Sequence, residues 1–110
     1  MNTTAMLQRA KEIANRQGRL ANSPGERSRN GQIILCAASC IARAAIEIDS
    51  NVMSPKEFYS RVLRYDKKKL VPHIFNAISL DGNRALKLMV ENDNRSPNTR
   101  LAWFNSLETI

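Results

Sequence analysis

The chain has 110 residues, the length of one ordinary domain, which excludes a multidomain enzyme with a second core. An apolar fraction of 43% with 25% charged residues suits a folding protein, and 4 Gly with 4 Pro exclude collagen-like or low-complexity sequence. Seventeen Lys and Arg against ten Asp and Glu give a formal charge of +7, a field that attracts phosphates, nucleotides, acidic protein faces or anionic lipid.

The predicted elements, in chain order, are helical almost throughout. Thr3 or Thr4 caps a first helix with Leu7, Ala10, Ile13 and Ala14 on its apolar stripe, and Gly18 ends it. Residues 18 to 31 mix Gly, Pro and small polar residues with arginines and read as a flexible basic loop without regular structure. From Gln32 to Asp49 apolar and small residues cover most of a helix circumference, so this segment belongs at the centre of the bundle. Its alanines let neighbouring helices approach closely. Ser54-Pro55-Lys56-Glu57 is a capping box with Pro at the first helical position. The helix it opens presents Phe58, Val62 and either Tyr65 or Tyr59 inward and ends in Lys67-Lys68-Lys69, where cations complement the macrodipole. Pro72 restarts a short helix through Leu80, Asp81 caps another that Asn92-Asp93-Asn94 interrupts, and Ser96-Pro97 opens a last one with Leu101, Phe104 and Leu107 as its stripe. No alternating strand pattern and no repeat is visible. The expected fold is all-α: a single domain over residues 1–110, a bundle of five or six helices around the alanine-rich one.

The longest nearly apolar run, Ile33 to Ala42, is too short to span a bilayer, and two cysteines four residues apart make no disulfide framework. A cytoplasmic protein without membrane contact is expected. Cys36 and Cys40 lie one helical turn apart, as two metal ligands would, but His73 is the single histidine; buried small side chains explain them better, and no metal or cofactor is expected. No catalytic residue is assigned, because no nucleophile motif accompanies His73. Glu91 to Asn94 resembles an ordinary helix-to-turn junction, without calcium-loop spacing, and no glycine-rich loop leads into Lys-Ser or Lys-Thr.

The basic residues carry the functional signal. Residues 1 to 35 hold six basic and two acidic side chains, residues 36 to 69 seven and four, and the remainder four and four. Arg16, Arg19, Arg27 and Arg29 gather at the end of the first helix and in the loop, suited to bidentate capture of phosphate or carboxylate. Arg61, Arg64, Lys67, Lys68 and Lys69 line the third helix, with Tyr59 and Tyr65 interleaved for stacking. Fourteen residues between the first two helices are too many for a helix-turn-helix.

Cys36-Ala37-Ala38-Ser39-Cys40-Ile41-Ala42, followed late by Glu91-Asn92-Asp93-Asn94 and Arg100-Leu101-Ala102-Trp103, resembles small uncharacterised bacterial and phage proteins with a Cys-Ala-rich central helix and a late Asn-Asp motif. The resemblance covers the last two thirds of the chain. It implies a helical domain of mobile-element origin and transfers no catalytic residue; the long basic first loop departs from the pattern.

Three functions compete. The leading one is a noncatalytic module that binds an anionic partner, nucleic acid or a nucleotide, through the basic loop and third helix. The alternative is a phage-type anti-defence or host-takeover inhibitor that docks on an acidic protein surface, or sequesters a nucleotide signal in a pocket shared by a homo-oligomer. An enzyme would need Glu47, Asp49, Glu91, Asp93 and His73 to converge.

Overall fold

Gln17 shows how the first half of the chain is tied together. In the computed structural model, which describes residues 2–110, its side-chain amide both donates to the Leu35 carbonyl and accepts from the Leu35 N–H, each at 3.2 Å. Gln17 closes α1 (Thr3–Gln17), and Leu35 closes a short strand, so the contact clamps the helix end to a hairpin. The hairpin pairs β1 (Gly25–Arg27) antiparallel with β2 (Ile33–Leu35), Glu26 opposite Ile34. It is followed by α2 (Ala37–Ile48), α3 (Pro55–Arg61), α4 (Lys67–Ala77), α5 (Gly82–Asp93) and α6 (Arg100–Ser106).

The core forms around α2. Ala37, Ala38, Cys40, Ile41, Ala42, Ala44, Ala45 and Ile46 are all fully buried. On α1 Met6, Leu7, Ala10 and Ala14 recur at helical spacing and pack along α2, with alanine on both sides of the contact. The α4–α5 pair packs against α2 as well, contributing Leu70, Ile74, Phe75, Ala85 and Leu88, and α6 packs on α1. The alanines of α2 are thus covered within the chain. Cys36 and Cys40 are buried and burial pushes both thiols up, which makes them packing groups rather than reactive ones. No helix among the described residues is long and apolar enough to cross a membrane.

The mostly helical bundle around the alanine-rich helix is present, but not as an all-α structure. The loop expected over 18–31 contains β1, and Ile33 to Leu35, expected inside the central helix, form β2. A continuous apolar run does not separate strand from helix, and these strands of three residues are too short to alternate visibly. Asn2, not Thr3 or Thr4, caps α1 by accepting from the Ala5 N–H at 3.0 Å. The third helix stops at Arg61, and Lys67-Lys68-Lys69 open α4 instead of closing α3. Pro72 lies inside α4, because burial of Leu70 and Val71 extends the helix back to Lys67 despite the hydrogen bond the proline forfeits. The last helix begins at Arg100, one turn after Ser96-Pro97. Ile48 and Leu86 are half exposed.

Candidate functional site

The hairpin is the element that links the early arginines to the second basic group, through Lys67. Its turn is closed by Ser28 N–H donating to the Gln32 carbonyl at 2.8 Å and Gly31 N–H to the Ser28 carbonyl at 3.0 Å, with Gly31 at φ 84. Arg27 and Arg29 project from this ribbon, both exposed, and Arg27 Nη1 reaches the Gly31 carbonyl at 3.1 Å. At the opposite end Gly25 lies against Val62, so closely that a Cβ there would meet Val62 atoms at 2.9 Å. Lys67 Nζ also donates to the Gly25 carbonyl, at 3.3 Å. The β1 strand therefore joins the early arginines to the start of α4.

Of the eleven candidate residues, some are neutralised and others are not. Arg19 pairs with Glu26 at 2.7 Å and Arg61 with Asp66 at 2.9 Å. Arg64 is held by the Ser60 hydroxyl. The side chains of Arg16, Arg29, Lys68 and Lys69 make neither a hydrogen bond nor an ion pair among the described residues. The lysines do not form one row: with Lys67 turned to the hairpin, Lys68 and Lys69 follow about 100° and 200° round the helix. Tyr65 is wholly exposed, in the turn between α3 and α4, not inward on a helix, and Tyr59 is half-buried. Three cations at the positive end of α4 oppose the macrodipole rather than complement it.

Two clefts flank the ribbon, as the alternation of Ile33 and Ile34 between its faces requires. One, of about 350 Å³, lies between Arg19 and Arg29 and is lined by Ile34. The other, of about 450 Å³, lies between α1, the hairpin and α3, and is lined by Arg9, Arg16, Arg43, Gln17, Gln32, Ile13, Ile33, Tyr59 and Gly31. Arg9 and Arg43 were not among the expected residues. Arg9 donates to both oxygens of Glu47, from Nε at 2.6 Å and Nη2 at 3.1 Å, and to Glu12 at 3.2 Å. Its guanidinium holds the Glu47 carboxyl below the usual glutamate range. Arg43 Nη1 is 3.8 Å from Glu47, too far for a hydrogen bond, and its guanidinium carbon sits 5.6 Å from the centre of the Tyr59 ring. The lone charge in the otherwise uncharged stretch Ala37 to Ile46 was the signal that could have found Arg43.

The five groups an enzyme would need have separate surroundings where the structure shows their contacts. Glu47 is engaged by Arg9, Asp93 accepts from Asn92, and His73 is exposed on α4. No hydrogen bond links any two of the five among the described residues. No family model, no curated protein and no solved structure matches the chain.

Proposed function

We propose that the protein is a noncatalytic binding module whose partner is a nucleic acid strand, held by its phosphates across the basic hairpin and the adjoining start of α4. The observation that carries this reading is that Arg16, Arg27, Arg29 and Lys68 stay without acidic partners while the hairpin docks between α1 and the α3–α4 junction. Guanidiniums without acids offer phosphate the bidentate geometry it prefers, and Tyr65 beside Arg64 offers a base an exposed stacking face. A strand suits the surface better than a duplex, since the arginines stand on a hairpin and the lysines on the first turn of α4, not along one helix that could enter a groove.

The test is fluorescence anisotropy of a labelled single-stranded oligonucleotide titrated at several salt concentrations. Four phosphate contacts, from Arg16, Arg27, Arg29 and Lys68, predict a slope of log affinity against log salt of about −3. Replacing Arg27 and Arg29 together with Ala should weaken binding and flatten that slope by about one unit. Absence of binding at low salt, or binding indifferent to salt, overturns the proposal. Retention of a single acidic protein in place of the oligonucleotide would instead favour the inhibitor that acts by protein contact.

A further inference from the structure

Arg43 is the least satisfied charge in the structure. Its side chain is only 15% exposed, and its Nε and Nη1 are buried without a hydrogen-bond partner. The nearest carboxylate, Glu47, has both oxygens occupied by Arg9. A guanidinium removed from water and left short of acceptors is stabilised by any anion that can reach it. Nη2, neither buried nor hydrogen-bonded, is the nitrogen left open, and the residue lines the 450 Å³ cleft. Arg16, which makes no ion pair or hydrogen bond among the described residues, lines the same cleft from α1, and neither Glu12 nor Glu47 lines it.

The remaining walls are not those of a simple ion site. Ile13, Ile33 and the Tyr59 ring give the cleft apolar and aromatic surface that inorganic phosphate would not use. Gln32 lines it, and its side-chain amide has no hydrogen bond among the described residues, free both to donate and to accept. A volume of about 450 Å³ falls in the range of small-molecule sites. Cation, aromatic face and free amide together match a phosphate joined to a base.

We propose that this cleft takes a nucleoside 5′-monophosphate, either free or as the phosphorylated end of a strand, with the phosphate on Arg43 and Arg16 and the base against Tyr59 and Gln32. The inference rests on the reading of the surrounding basic face as a phosphate-binding surface and gives that surface a polarity: a strand would be held by its 5′ end.

The experiment compares two ten-residue oligothymidylates, one with a 5′-phosphate and one with a 5′-hydroxyl, and adds thermal shifts with thymidine 5′-monophosphate, thymidine and inorganic phosphate. The phosphorylated strand should bind about ten-fold tighter, as one charge-assisted contact allows. The monophosphate should raise the melting temperature more than thymidine or phosphate does. Arg43→Met should bring the ratio between the two strands to one; general damage to the fold would weaken both and leave the ratio unchanged. Arg16→Ala, at an exposed position, gives the same readout if the first variant does not fold. Equal binding of the two strands by the unmodified protein overturns the cleft proposal and leaves the strand-binding function standing. A thermal shift with the monophosphate but no binding of either strand does the reverse.

Discussion

Asn92 has no contact with solvent, and its amide is taken up by backbone from two other parts of the chain. Its Oδ1 accepts from the Ala37 N–H at 3.2 Å, supplying α2 with the cap that the Cys36 side chain does not provide, and its Nδ2 donates to the Ala21 carbonyl at 2.8 Å. Arg100, 5% exposed, donates from Nε to the Asn92 carbonyl at 2.8 Å and from Nη2 to the Asn22 side chain at 3.1 Å. The late Asn-Asp motif and the arginine after it thus serve as scaffold: they fix residues 20–22, the segment that leads into the hairpin. Asn92→Leu should cost about 2–4 kcal/mol, because it strands a buried donor and a buried acceptor at once. Urea unfolding would register this as a lower midpoint at unchanged slope. A loss under half a kcal/mol would mean that the amide does not hold these groups.

Among the elements, the hairpin is the part on which the candidate surface depends, and Gly25 is its seat. A methyl group there would overlap Val62 side chain and backbone at 2.9 Å, so β1 must move away from α3. Gly25→Ala should destabilise the fold by about 1–3 kcal/mol, the range for overpacking a close contact. Amide exchange should quicken at Ser28, whose N–H closes the turn, while the α1–α2 amides stay protected. Uniform quickening throughout would show that the hairpin does not yield separately. This is also the element least legible in the sequence. Two helix starts with a capping side chain were readable: the Ser54 hydroxyl accepts from Glu57 N–H at 3.1 Å, and Asp81 accepts from Asn83 N–H at 2.9 Å. The Asn30-Gly31 turn signal was present too, but one flank, Gly25-Glu26-Arg27, has no apolar residue to mark a strand. Arg16 and Tyr59 could be singled out as residue types, whereas their meeting with Arg43 across a cleft depends on how α1, β2 and α3 pack.

Over the whole molecule, the charge that suits a polyanion works against the compact state, because seventeen cations repel one another with only ten acids to offset them. Raising salt from about 0.1 M to 1 M shortens the screening length from about 10 Å to 3 Å, so the melting temperature should rise while oligonucleotide affinity falls. Acid sharpens the contrast, since protonating all ten carboxylates leaves the seventeen Lys and Arg unopposed. Glu47 is the carboxylate whose loss has a structural consequence, because it ties Arg9 of α1 to the end of α2. Its folded-state pKa lies below the unfolded value, so its contribution is present above about pH 4.3, the ordinary glutamate value, and disappears as pH falls through the depressed one. Thermal melts from pH 7 down to pH 2.5 should therefore show stability falling at the acid end, with added salt restoring part of it. Glu47→Gln should melt lower than the unmodified protein at pH 7, and the gap should narrow as pH falls toward 2.5. A constant gap between the two across that range would place the stabilising role of Glu47 in its shape rather than its charge, and the Arg9 contact would then contribute nothing to the acid response.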